Sequence, residues 1–368
     1  MKFKAKKQDL LRELQLTQGI VDKKHTIPIL SNLLVQTHAD EISVIATDTE
    51  ITMKNRCPAE ILEEGQMTIP ARKAFEITRN LPEADVEIEL QENFWLQLKC
   101  AHSQFRICGL DPADFPKIPE VPEAAMYGLN PGHFKELLQA VLISTPVDET
   151  RFPISGALFS LTKKGTTMVS TDGHRLSVFD IPEKRKGPKD DITVIVARKT
   201  LMEMRRMLDL EIKELQCAVE GTNVIFLADK RTLVSNTIQK KFPDYKGVFP
   251  EVSDKQVTLA RNDFEKAIRR VAVLSSEKSR SVKLAFAENK LTLSAGTPEM
   301  GEAKEDLPVE FDRELEVCFN YQYVLDFLGV AATEQVNLRL KDGQTQGVLE
   351  PVGVEGYSFK HVVMPMRV

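Results

Sequence analysis

Apolar residues recur along this chain with two periods, and the alternation of those periods is itself repeated. A helical spacing (i, i+3, i+4, i+7, in whole or in part) occurs at Leu10, Leu11 and Leu14, at Phe134, Leu137, Leu138 and Val141, and at Phe264, Ala267, Ile268 and Val271. It predicts amphipathic helices over 7–17, 131–144 and 261–275, whose lead residues Leu10, Phe134 and Phe264 are 124 and 130 positions apart. Strand, turn and strand follow, with β-branched residues alternating with polar ones. They read Ile42–Thr47, Asp48-Thr49 and Glu50–Arg56, then Thr166–Thr171, Asp172-Gly173 and His174–Ile181. The third version is Lys290–Ala295, Gly296-Thr297-Pro298 and Met300–Leu307. A second helix is expected over 71–80, 197–208 and 320–331, led by Phe75, Leu201 and Val324, which are 126 and 123 apart. More strands lead to Phe115-Pro116, Phe242-Pro243 and Met364-Pro365.

Four markers in the same order, three times over, identify an internal repeat. Each repeat is α+β: two helices, which need a sheet face to cover, and roughly eight strands. Domains are expected at 1–125, 126–253 and 254–368. The boundaries fall in Pro- and Glu-rich links, Pro119-Glu120-Val121-Pro122-Glu123 and Phe249-Pro250-Glu251-Val252-Ser253-Asp254.

Composition narrows the class. With 42% apolar and 28% charged residues the chain is globular, neither disordered nor fibrous. No apolar run approaches the ~20 residues of a membrane span. Met1-Lys2-Phe3-Lys4 leads into alternating charge, so no signal peptide is visible and a cytoplasmic location is expected. Cys57, Cys100, Cys108, Cys217 and Cys318 include no C-x-x-C pair, which argues against a disulfide framework and a zinc ribbon. The six histidines lack metal-ligand spacing, and G-x-S-x-G, P-loop and H-E-x-x-H motifs are missing. Asp172 and His174 could be imagined as a base and its orienter, but the turn between them breaks that geometry. No enzyme, metal or cofactor is expected.

Charge changes the picture more. The chain carries −5 overall, yet the six helices together carry +6, which leaves −11 for the remainder. Sign therefore segregates by structural role. A positive helical surface in an acidic protein is the footprint of backbone-directed nucleic-acid binding, and no base-reading motif accompanies it. A domain of ~120 residues has a radius of gyration near ~14 Å. Three such units in a ring leave almost no hole, whereas six leave one on the order of 30 Å, wide enough for a duplex. Six units mean a homodimer.

Six motifs in order then give a resemblance. They are Thr26-Ile27-Pro28-Ile29-Leu30-Ser31-Asn32, Ile69-Pro70-Ala71-Arg72-Lys73, Thr171-Asp172-Gly173-His174-Arg175-Leu176, Lys241-Phe242-Pro243-Asp244-Tyr245, Leu274-Ser275-Ser276-Glu277-Lys278 and Val362-Val363-Met364-Pro365-Met366-Arg367. The chain resembles the bacterial DNA polymerase III beta subunit family, the sliding clamps, over essentially its whole length. The resemblance implies three DNA clamp domains forming half of a head-to-tail, six-domain ring, with helices lining the channel and sheet outside. It implies a non-catalytic processivity factor of DNA replication that encircles double-stranded DNA without sequence preference. The implied partners are the alpha subunit of the replicative DNA polymerase, the clamp loader, and other polymerases and repair proteins carrying clamp-binding peptides.

The family's peptide-docking cleft maps onto Ile154, Thr171, Gly173, His174, Arg175, Leu176, Pro243, Val248, Asn320, Tyr323, Val362, Val363, Met364, Pro365, Met366 and Arg367. Leu176, Val363, Met364 and Met366 are expected to offer an adaptable apolar pocket, and Arg175 and Arg367 to hold peptide carboxylates or carbonyls. DNA contacts map onto Lys24, Arg72, Lys73, Arg198, Lys199, Phe152 and Pro153, with Asp148 in that last loop of the wrong sign. Phe105, Val273 and Leu274 match the family's apolar dimer interface. Ser279 and Gly247 stand where relatives place an aromatic residue and an arginine, so peptide preference is expected to differ. The competing expectation is a protein-only scaffold of three repeats, which retention on duplex DNA distinguishes from a clamp.

Overall fold

Helices form where the apolar period predicts them. The computed structural model describes residues 1–21, 27–119, 126–147, 154–182, 191–249, 255–298 and 301–367. Its helices are α1 (Lys7–Thr17), α2 (Ala71–Asn80), α3 (Pro131–Leu142), α4 (Arg198–Met207), α5 (Arg261–Ala272) and α6 (Tyr321–Val330). The expected helices overrun at the ends of α3 and α5. There Ser144 N–H donates to Val141 O (3.1 Å) and Ser275 N–H to Ala272 O (3.0 Å), three-residue bonds that tighten and end the helix. The second-helix alignment also moves by one residue. Helix starts at Ala71, Arg198 and Tyr321 set Leu201 and Val324 level with buried Ala74, not with Phe75. Phe75 is half-buried, with the Arg79 guanidinium 5.5 Å from its ring centroid.

The chain divides into two compact units, Met1–Pro131 with Lys199–Thr237, and Gly132–Arg198 with Ile238–Val368. The first holds a five-stranded antiparallel sheet in the order 60–63, 2–6, 85–90, 95–100, 103–108. Its second sheet has eight strands, ordered 127–129, 215–220, 223–228, 231–236, 51–58, 41–47, 32–38, 66–70. Both sheets and α1 and α2 meet in one core, where Phe3 and Leu98 face Leu10, Leu14, Val44 and Ala74.

The second unit repeats the plan. Its eight-stranded sheet is ordered 192–197, 156–162, 165–171, 175–182, 358–363, 347–351, 335–340, 255–260, and a four-stranded sheet is ordered 301–308, 290–297, 281–287, 315–320. Phe264 of α5 and Val324 of α6 pack with Leu284, Phe319, Leu338 and Val363 from the two sheets.

Each eight-stranded sheet joins strands from two different sequence repeats. In the first unit, 231–236 pairs with 51–58, with Thr232 opposite Lys54 and Ser235 opposite Ile51. In the second, 175–182 pairs with 358–363, from Arg175 opposite Val363 to Asp180 opposite Ser358. The links expected around 125/126 and 253/254 lie in residues 120–125 and 250–254, outside the described residues.

A buried ion pair reinforces the first junction. Glu13 of α1 accepts two hydrogen bonds from Arg231, at 2.8 Å from Nε and 2.5 Å from Nη2. Both side chains are nearly excluded from solvent, so removing one partner strands a desolvated charge. Glu13→Gln is expected to lower stability by about 3 kcal/mol, measured as a fall in the urea midpoint. Replacing Glu13 and Arg231 together with methionine should recover much of that loss.

Candidate functional site

The cleft residues quoted from the sequence all lie in the second unit. They start at the tight turn between strands 165–171 and 175–182. Asp172 Oδ1 accepts from the backbone N–H groups of His174 and Arg175, both at 3.0 Å, and Thr171 Oγ1 accepts from Gly173 N–H at 3.1 Å. Gly173 has φ +90°, a conformation that costs a residue with a Cβ, which is why glycine stands there. Asp172 therefore closes the turn through backbone groups and pairs with Arg175.

Arg175 is the most constrained side chain of the site. Its Nε donates to Asp172 Oδ2 at 3.0 Å and its Nη1 to Asp326 Oδ2 at 2.5 Å. The guanidinium carbon lies 4.4 Å from the centroid of the Tyr323 ring. Asp326 is held in turn by Gln322 Nε2 at 2.7 Å. Asn320 caps α6, its Oδ1 accepting from Gln322 N–H at 3.0 Å. Burial first, then the nearby Asp172 carboxylate, push the Tyr323 phenol upward. The expectation that Arg175 holds a peptide carboxylate meets a guanidinium already between two carboxylates and a ring.

The apolar wall also differs from expectation. Leu176, Val362 and Val363 are 3%, 1% and 1% exposed, and Leu176 and Val362 pack with Val169, Val178, Ile195, Phe242 and Val348. They support the cleft from beneath. Met364 (43% exposed) offers accessible apolar surface next to half-buried Pro365 and Met366, and half-buried Val248 packs on the cluster beneath. Ile154 and Thr171 are half-buried, while Gly173, His174, Pro243 and Arg367 are exposed. Backbone bonds hold the tail: Met364 N–H donates to His174 O at 2.9 Å and Met366 N–H to Cys318 O at 2.8 Å. Thus the last residues lie against both the turn and the strand that leads into α6.

Sequence reasoning missed what lies underneath. His361 is fully buried, its Nδ1 is 3.0 Å from Ser177 Oγ, and Ser177 Oγ is 2.8 Å from Ser144 Oγ. The Phe327 ring stacks on its imidazole at 5.7 Å. No sequence motif marks His361, because the Ser177 hydroxyl it bonds lies 184 residues away. Asp326 is absent from the expected set for the same reason.

Among the DNA-contact residues, Arg72 and Lys73 project from α2, 69% and 66% exposed, and share Glu76 at 3.0 and 3.1 Å. Arg198 instead donates to the carbonyls of Leu142 (2.9 Å) and Thr145 (2.6 Å), closing the end of α3. Lys199 is bound to Asp48 at 2.5 Å and to Ile20 O at 3.2 Å. Arg205, Arg206, Lys266, Arg269 and Arg270 are further exposed cations, outside the set implied by the family resemblance. Lys24, Asp148, Phe152 and Pro153 lie outside the described residues. Phe105 is 39% and Val273 73% exposed, while Leu274 is half-buried.

Comparison with known proteins covers the whole chain. Models of the DNA polymerase III beta subunit match residues 1–119 (N-terminal domain), 128–244 (central domain) and 246–367 (C-terminal domain). The beta sliding clamps of Pseudomonas putida and Escherichia coli K12 are 33% and 34% identical over 370 residues, each alignment covering 100% of both chains. A Pseudomonas aeruginosa sliding clamp bound to griselimycin superposes with a TM-score of 0.94 at 32% identity, covering 100% of both chains. A Caulobacter crescentus beta sliding clamp superposes at 0.93 with 32% identity, covering 100% of this chain and 99% of that one.

The buried imidazole generates a pH prediction. Burial, and then the charge of Arg175, push His361 from 6.5 down to about 3. Below pH 6.5 the unfolded chain takes up a proton that the folded chain refuses, so stability falls with falling pH and is unaffected well above that value. Stability at pH 5 is expected to be roughly 2 kcal/mol below that at pH 7 from this residue. His361→Asn should narrow the gap between melting curves taken at the two pH values.

Proposed function

We propose a role from one premise: the chain belongs to the DNA polymerase III beta subunit family, matched by its domain models from end to end. It is a DNA sliding clamp, a non-catalytic processivity factor that holds polymerase on DNA. The clamp domains are 1–125, 126–253 and 254–368, and the protein works in the cytoplasm.

One observation carries the assembly. Strand 51–58 of the first repeat is completed by 231–236 of the second, and 175–182 of the second by 358–363 of the third. By the same rule 301–308 of the third repeat lacks a partner equivalent to 103–108 of the first. Among the described residues both stand at sheet edges, each bonded on one side only. A chain that offers each edge once closes both with a second copy, head to tail.

The register follows from the existing junction. Arg106 lies three residues past the hairpin partner Ser103, as Val234 lies past Arg231. Glu302 lies six residues before Pro308, as Thr52 lies before Pro58. Val234 opposes Thr52, so Arg106 opposes Glu302 of the partner subunit and Phe105 opposes Ala303 of the partner subunit. Phe105 also pairs with buried Leu98, and Ala303 with buried Ala295, so both belong to the core-facing side. This supports Phe105, Val273 and Leu274 as the apolar interface.

Exposed Arg72 and Lys73 are the stronger phosphate contacts. Arg198 and Lys199 contribute field more than direct bonds, given their internal partners. The partners of the cleft are the polymerase alpha subunit, the clamp loader and repair proteins with clamp-binding peptides. Griselimycin, bound by the P. aeruginosa clamp, is expected to bind this chain as well.

The seam is tested by charge reversal. Arg106→Glu sets like charges opposite each other, about 1 kcal/mol per seam, so two seams should raise the dimer dissociation constant roughly thirtyfold in dilution sedimentation. Adding Glu302→Arg should restore it. An unchanged constant for Arg106→Glu would refute this register. DNA binding is tested on circular duplex, where the protein should be retained until the circle is cut. The double change Arg72→Ala, Lys73→Ala should lower the slope of log affinity against log salt by up to about 2 per chain with melting unchanged. Protein that ignores duplex DNA altogether would favour the scaffold.

A further inference from the structure

Beside the tight turn of the cleft, one guanidinium joins two segments that are remote in sequence. Arg175 stands on the strand after the turn, Asp172 in the turn, and Asp326 on α6, 151 residues beyond Arg175. Asp326 lies one helical turn (i+3) from Tyr323, and their side chains share a face. The cation therefore touches the acid and the ring of the same helix at once.

We propose that Asp326 is a positioning residue of the docking cleft: through Arg175 it sets the Tyr323 ring as a wall for the bound peptide. This rests on the cleft reading above and adds a residue that touches no peptide itself. A guanidinium is planar, and Asp326 at Nη1 with Asp172 at Nε determines the orientation of that plane. The plane lies against Tyr323, so the ring has one favoured placement before any peptide arrives. Pre-organised walls lower the ordering cost of binding. Gln322 holds the second Asp326 oxygen and keeps the carboxylate from rotating away.

The arrangement also bears on peptide chemistry. Two carboxylates flank one cation, so this cluster carries −1 and gives no net attraction to an acidic side chain. The position beside Tyr323 should prefer an apolar or neutral residue. Arg367, exposed on the tail, and exposed Arg280, whose charge acts on Tyr323, are cations that can meet a peptide carboxylate.

The test uses full-length dimer and griselimycin as probe, with affinity read by calorimetry. Asp326→Asn removes the charge with little change of shape, and it should weaken binding about tenfold, within the range of coupled neighbours. The same change in a Tyr323→Ala background should have almost no effect, because the ring it positions is gone. A loosened structure would weaken binding equally in both backgrounds, and that result would overturn the assignment. So would unchanged affinity in a folded Asp326→Asn protein. If that variant does not fold, Arg175→Lys serves: it keeps a charge between the acids but lacks the flat face, and its loss should likewise vanish with Tyr323→Ala. Wild-type protein that fails to bind griselimycin, or binds it undiminished after removal of residues 364–368, would refute the cleft itself and this role with it.

Discussion

An edge strand presents a row of backbone N–H and C=O groups that need partners, and the rest of this molecule follows from how that need is met. Each repeat folds two helices onto sheets and ends with one strand of each sheet open. The first and second repeats satisfy each other through 51–58 and 231–236, the second and third through 175–182 and 358–363. The sheets grow to eight strands because pairing crosses from one repeat to the next. Separate three-domain beads would leave four more edges exposed.

The cleft proposed for docking is a product of the second crossing. Pairing 358–363 with 175–182 carries the chain past Val363 to the turn at His174, where Met364 bonds before the tail reaches Cys318. The same crossing buries His361 between Ser177 and Phe327. Stability and the proposed docking wall thus share one strand: its inward residues are buried between the sheets, and its continuation exposes Met364. A neutral imidazole at the junction gives this part of the molecule a sensitivity to acid that the surface residues do not have.

Electrostatics divides by geometry as much as by composition. Arg198 and Lys199 lie on a basic helix, yet they close the end of α3 and bind Asp48. Arg72 and Lys73, on the equivalent helix of the preceding repeat, point outward and share a single glutamate. Equivalent positions in a repeat can carry the same charge and serve opposite ends, because each helix meets a different neighbour. A cation bonded to carbonyls or a carboxylate has fewer donors to offer a phosphate.

By itself the sequence determined the threefold plan, the six helices and most strand positions, because these depend on local periodicity and on turn residues such as Asp172-Gly173. Motifs at Thr171–Leu176 and Val362–Arg367 also marked two segments that the pairing of 175–182 with 358–363 brings together. Only the tertiary structure decided what each residue there does. Leu176 and Val363 became supports and not surface, Arg175 became a clamp, and Phe75 gave its place in the core to Ala74. Asp326 and His361 entered from segments more than a hundred residues away. The reason is physical: a helix or strand face is set by neighbours three or two positions along, whereas burial and ion pairing depend on what the fold brings against that face.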